Sequence, residues 1–335
     1  MLDDRKSAIL RAVVQTYIET AQPVGSTHVV EATEIGVSPA TVRNDMTLLE
    51  REGYLTQPHT SAGRIPTEKG YRFFVDNIGP GEMGPAQARQ VGAFFARAHG
   101  ELEEMLKNTS RMLSRVTATT AVVVGHPADT DTIRSVQLVG LTSSVYLVVI
   151  VMSSGAVLKR TVERSAEVSD DQLRDAADQL SDQIIGSSLG TLTTLTVSPT
   201  HPDAAVGAIL AESIGAIVAA ASDNAERVYV EGASRIAGAF DATGTLSEVL
   251  SLLEQQLTVV TLLRDVLDRG LTVAIGSETG IAPLAECSLI VAPYLVGAEQ
   301  AGTIGVLGPT RMNYQETLAA VAVVSQRLSK LLTEG

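Results

Sequence analysis

Residues 79–85, Gly-Pro-Gly-Glu-Met-Gly-Pro, hold three glycines and two prolines, and no regular element can run through them. They divide a 335-residue chain into a head of 78 residues and a far longer remainder. One ordinary core is not expected to serve both. With 45% hydrophobic and 19% charged residues the chain has the balance of a packed protein, not a disordered one. The apolar run 145–152 is eight residues, well short of the roughly 20 that a membrane-spanning helix needs. No apolar stretch follows the opening Met1-Leu2-Asp3-Asp4-Arg5-Lys6, so no secretory leader is expected and a cytoplasmic location is.

Within the head, residues 5–20 carry Ile9, Leu10, Val13, Val14, Tyr17 and Ile18 at helical spacing, and Pro23 is expected to end that helix. Ser26 is expected to cap a short helix reaching Thr33, with Ile35-Gly36-Val37 as the turn after it. Ser38 then caps a helix over 39–52, with Pro39 at the first position, where its missing N–H costs nothing. Val42, Met46 and Leu49 share the inward face of this helix, leaving Ala40, Thr41, Arg43, Asn44 and Thr47 outward. Arginine pairs with guanine and asparagine with adenine, while alanine or a threonine methyl touches the thymine methyl. The helix N-terminus at Ser38 adds N–H groups for phosphate.

Strands at 53–57 and 64–66 would flank a loop at 58–63, making a wing with His59, Thr60, Ser61 and Arg64 for phosphate or minor-groove contact. Thr67 caps a further helix, where Lys69 and Arg72 are additional candidate contacts. The order helix, turn, polar-faced helix and ribbon predicts a winged helix-turn-helix DNA-binding domain over residues 1–78. Composition does not help: the net charge is −13, and the head itself holds eight Lys and Arg against ten Asp and Glu. Two copies acting together are therefore expected to supply the affinity.

Beyond the linker, 86–115 reads as one helix, followed by β texture at 121–124, 135–141, 145–152 and 156–162. Ser169 and Gln172 form a capping box opening a mostly helical stretch, with a short strand at 227–231. β texture resumes at 271–275, 288–293 and 302–306, and a final helix follows Asn313. The expected fold is thus α+β and multidomain. One α+β domain, 86–168 plus 246–335, is interrupted by an inserted, mostly helical module at 169–245.

Catalytic and metal chemistry find no foothold. The histidines at 28, 59, 99, 126 and 201 show no pair at the spacing of a helical metal site. The single cysteine, Cys287, precedes an apolar strand and reads as a buried thiol. The glycines of 302–308 lack a following Lys-Ser/Thr and meet Pro309, so tight β turns explain them better than a phosphate loop. No cofactor, no metal and no enzymatic activity are expected.

Six stretches, residues 12–20, 23–26, 38–46, 58–76, 289–294 and 302–314, resemble the bacterial heat-inducible transcription repressor family HrcA. The long match through Pro58-His59-Thr60-Ser61-Ala62-Gly63-Arg64-Ile65-Pro66 is the most specific, whereas the middle third, 165–260, is similar in texture only. The resemblance implies a winged-helix domain, a GAF-like domain and an inserted dimerisation domain. It also implies a homodimer that represses chaperone operons at an inverted-repeat operator, the CIRCE element, with the GroEL chaperonin as the partner that keeps it active. The alternative is a regulator of metabolic genes that senses a ligand in the GAF-like domain.

Overall fold

The structure, a computed structural model, describes residues 2–33, 36–59, 62–79, 81–98, 101–125, 131–153, 155–194, 202–223, 228–236, 243–270 and 272–334. The head comprises α1 (Asp4–Thr20), α2 (Ser26–Ala32), α3 (Pro39–Arg51), a two-stranded antiparallel ribbon of β1 (Leu55–Thr56) and β2 (Ile65–Pro66), and α4 (Glu68–Asn77). Side-chain caps set three of the helix starts. Asp3 accepts from the Lys6 N–H, Ser38 from that of Thr41 and Thr67 from that of Gly70. Two expectations change here. Ser26 is buried within α2 rather than capping it, and α1 ends at Ala21, in the left-handed region at φ 53°, two residues before Pro23. Ile9, Leu10, Val13, Val14, Val42, Met46 and Leu49 close the interior as their spacing requires.

Residues 86–115 form two helices, not one: α5 (Pro85–Phe95) and α6 (Leu102–Thr117). Next in the chain come β3 (Thr120–Val124), β4 (Ile133–Thr142), β5 (Val145–Met152) and β6 (Val157–Glu163). After these lie α7 (Asp170–Ile184), α8 (Leu189–Thr194), α9 (Ala204–Asp223), β7 (Val228–Glu231), α10 (Ala233–Ile236), α11 (Thr243–Glu254) and α12 (Gln256–Asp268). The chain closes with β8 (Val273–Ile275), β9 (Cys287–Val296), β10 (Glu299–Pro309) and α13 (Tyr314–Glu334).

An antiparallel sheet in the order β7-β3-β10-β9-β8 forms the centre of the body. Alternate residues enter different cores, because successive strand side chains point to opposite faces. Ala121, Val123, Ile304 and Val306 pack with α6, α13 and the head, whereas Val122, Val124, Leu289 and Leu307 pack with α11 and α12. Both faces being covered explains why these strands read as continuous apolar runs. The glycines of 302–308 lie within β10 and not in turns. A Cβ at Gly302 would stand 2.4 Å from the Tyr294 hydroxyl, and one at Gly305 would stand 2.9 Å from Leu263. Absent side chains there let Tyr294 cross the strand and donate to the Val124 carbonyl at 3.1 Å.

A separate three-stranded sheet, β4-β5-β6, shares its own core with α7, α8 and α9. Tyr146 is central to it, hydrogen bonded to Ser213 at 3.1 Å and to the Ile209 carbonyl at 3.3 Å. The expected insert therefore changes: strands at 133–163 belong with the helical module, not with the larger sheet. Alternating β texture is the same in both sheets, so local pattern could not assign them.

Cys287 is fully buried at the start of β9, and burial, reinforced by the neighbouring Glu286, pushes its thiol up to about 12. Thiolate is the reactive form. A thiol reagent at neutral pH is expected to leave the native protein unlabelled and to modify one cysteine per chain after denaturation. Native labelling at an unprotected rate would contradict this packing.

Candidate nucleic-acid interface

The exposed side of α3 is built outward from its buried stripe. Ser38 is exposed at the cap and is also within 3.0 Å of the Thr41 hydroxyl, so the two side chains organise the helix start. The Thr47 hydroxyl donates to the Arg43 carbonyl at 3.0 Å. Ala40, Arg43 and Asn44 are exposed, and no ion pair holds Arg43 among the described residues. Asp45, pointing inward from the same helix, accepts from Arg5 at 2.8 Å and ties α1 to α3. Gly36, at φ 68°, supplies the left-handed residue of the connection before α3, while Ile35 lies outside the described residues.

Ribbon and α3 are held together from behind. The Val24 and Arg64 backbones exchange hydrogen bonds at 2.9 Å, adding a bridge beside β2. Gly63 permits this approach, since a Cβ there would lie 2.4 Å from the Val24 carbonyl oxygen. His59 is exposed near the tip; Thr60 and Ser61 lie outside the described residues.

The other three candidate cations are engaged within the protein. Arg64 pairs with Glu50 of α3 at 2.9 Å and is largely covered. Lys69 donates to the Glu52 carbonyl at 2.8 Å and lies 4.2 Å from the Tyr54 ring centroid, so it caps the end of α3. Arg72 turns to the body. Its Nε donates to Glu278 at 2.9 Å, its Nη2 donates to Glu278 and to the Val273 carbonyl at 2.7 Å, and Nη1 reaches Asp76 at 3.3 Å. The expectation that Arg72 faces DNA is corrected by this docking. Glu68 completes the seam by accepting from the Ser277 N–H at 3.1 Å and from its hydroxyl. Sequence reading missed Asp45, Glu278 and Ser277. Asp45 carries a signal, a carboxylate on an otherwise apolar helix face, but partners about two hundred residues away carry none.

No group of three or more His, Cys, Asp or Glu able to hold a metal occurs among the described residues. No described helix is long and apolar enough to cross a membrane.

Residues 103–318 match the family model described as HrcA protein C terminal domain. The chain is 36% identical over 342 residues to a heat-inducible transcription repressor HrcA of Nocardioides sp., covering all of both chains. The chain belongs to the HrcA family. It is also 38% identical over 340 residues to the HrcA repressor of Kocuria rhizophila, and 34% identical over 337 residues to that of Symbiobacterium thermophilum, in each case covering 99% of both chains. A crystal structure of a hypothetical protein shares the fold, with a TM-score of 0.70 at 23% identity, over all of this chain and 99% of that one. HrcA membership makes the protein a transcriptional repressor associated with heat stress, a class that is not enzymatic.

The Arg72–Glu278 contact gives a pH-dependent expectation. Burial raises the Glu278 carboxyl, but hydrogen bonds from Arg72 and the Ile275 N–H outweigh it and hold the group below its ordinary 4.5. A depressed folded value contributes stability that is present above 4.5 and is lost as pH falls through the lowered value. Glu278→Gln is expected to cost about 1 kcal/mol at neutral pH, at the upper end for a solvent-screened pair. Thermal melts should show that difference shrinking in acid. An equal cost at all pH values would show that the charge of Glu278 is not what joins the two parts.

Proposed function

We propose that the head is a winged helix-turn-helix that lays α3 in the major groove of operator DNA, with the β1–β2 ribbon as its wing. The observation that carries this reading is the α3 surface of Ala40, Arg43 and Asn44, exposed at the start of the helix and with no ion pair on Arg43 among the described residues. Arg43 and Asn44 read base edges, Ser38, Ala40, Thr41 and Thr47 line the approach, and His59, Thr60 and Ser61 meet the backbone from the wing. Arg64 and Lys69 hold the wing and the last turn of α3 in place.

The operator in this reading is an inverted repeat, the CIRCE element upstream of chaperone genes. Two-fold symmetry of the site requires two heads with matching spacing. The module of β4–β6 and α7–α9 offers the means. Its helices cover one face of the sheet, while Val139, Leu141 and Val157 are exposed on the other beside half-buried Leu147, Val149 and Val151. An apolar face of that extent fits a homodimer contact. The body is read as GAF-like, and a GroEL-type chaperonin as the partner that maintains the active form; the family resemblance supports both.

Fluorescence anisotropy with the inverted repeat, with and without chaperonin, tests the reading. Arg43→Ala is expected to cost about 1–3 kcal/mol on the operator while leaving non-specific binding nearly unchanged. Arg64→Ala is expected to act through stability of the wing, reducing binding to all sequences. If the wild-type protein bound the repeat no better than unrelated DNA in either condition, the operator assignment would be lost. Sedimentation supplies the second check: Leu141→Asp, on the open sheet face, is expected to yield folded monomers with weakened operator binding. A dimer unaffected by that charge would place the interface elsewhere.

A further inference from the structure

An amphipathic groove of about 640 Å³ lies between α5 and α6 in the body. That volume falls in the range of roughly 300–1,000 Å³ typical of small-molecule sites. Its floor is apolar, formed by Phe94, Met105, Met112 and Val116, while Arg97, Arg111 and Arg115 stand along its rim and Glu104 is the one acid in the lining. In a chain of net charge −13, three arginines around one apolar trough are a local reversal of sign. Arg111 is partly spent on Glu231 at 3.0 Å. Arg97 and Arg115 are exposed and have no ion pair among the described residues. The closed end is fixed, because Gln87 of α5 donates to the Val116 carbonyl of α6 at 3.1 Å.

We infer that this groove binds a small amphipathic anion, a carboxylate or phosphate monoester on an alkyl or aryl body. Guanidinium groups grip either headgroup through paired N–H donors. The apolar body covers the half-buried Phe94 and Met105, which inorganic phosphate would leave in contact with water. A two-fold contact through the same surface is disfavoured, because Glu104 is the one acid in the lining that a second copy could offer to Arg97 and Arg115. The site is distinct from the DNA-reading face, so its test needs no DNA and its outcome does not depend on the operator assignment.

Isothermal titration of the full chain with decanoate, decyl phosphate and decanol, each below its aggregation concentration, decides the matter. Saturable binding of one anion per chain is expected, with decanol at least tenfold weaker. Preference between decanoate and decyl phosphate assigns the headgroup. Arg97→Glu with Arg115→Glu should weaken the anion at least tenfold without altering the melting temperature of the unliganded protein. Met105→Gln, at a half-exposed position, should weaken decanoate and decyl phosphate alike. Arg174→Glu, an exposed reversal on α7, is the control and should leave binding unchanged. Equal binding of decanol, insensitivity to the paired reversal, or absence of saturation would overturn the site. So would a paired reversal that changed only the oligomeric state, since that would make the groove a protein contact.

Discussion

Helix α4 has two jobs, and the arrangement of the molecule depends on both. Tyr71 and Phe74 are buried in a core continuous with α1 and α3, so the helix is part of the head. Its Tyr71 ring also meets Tyr314 of α13 at 6.1 Å, while Arg72 and Glu68 clasp the turn at 273–278. Gly70 on this helix is confined: a Cβ there would stand 2.3 Å from the Tyr54 carbonyl oxygen. The flexible-looking linker that follows is therefore not what sets head orientation. A glycine- and proline-rich connection permits many placements, and the α4 seam selects one.

The same economy explains the body. Its central sheet lends one face to the core shared with the head and the other to α11 and α12. Strands covered on both sides are mostly apolar: within β3, β9 and β10 the covered polar side chains are the small Thr120, Ser288 and Thr303 and the hydrogen-bonded Tyr294, while Glu299 and Gln300 sit at the exposed start of β10. Close approach replaces side-chain bulk where helices and rings press hardest on β10, at Gly302 and Gly305. The β4–β6 sheet differs, being helix-covered on one side only, and that asymmetry leaves an apolar surface for another molecule.

Signals carried within a few residues were legible. Ser38 with Pro39, Thr67, and Ser169 with Gln172 each mark a helix start that the structure realises, because a cap bonds an N–H two or three positions away. The outward set on α3 followed from a period of 3.6. What could not be read is where a cation spends its charge. Arg43, Arg64 and Arg72 look alike in sequence, yet the second answers to Glu50 and the third to Glu278. Membership of the strands at 133–163 failed for a related reason: alternation says that a strand has an inside, not which core supplies it.

Pairing also changes how the acidic head is to be understood. Counting formal charges sets eight cations against ten anions, but Arg5, Lys6, Arg64, Lys69 and Arg72 are engaged within the protein. Asp45 is neutralised by Arg5, Glu50 by Arg64, and Glu278 draws Arg72 away to the body. The head cations with no ion pair among the described residues are Arg11, Arg43 and Arg51, and of these Arg43 and Arg51 lie on α3, with Asn44 exposed beside Arg43. In the proposed reading, a head that spends cations on its own architecture gains little from bulk attraction to phosphate, so its affinity would lean on base contacts and on a second head. Such a protein should bind with a shallow salt dependence for its footprint, since fewer condensed counterions are displaced per head. In that reading discrimination would come less from how strongly DNA is held than from how rigidly α4 presents α3 to it.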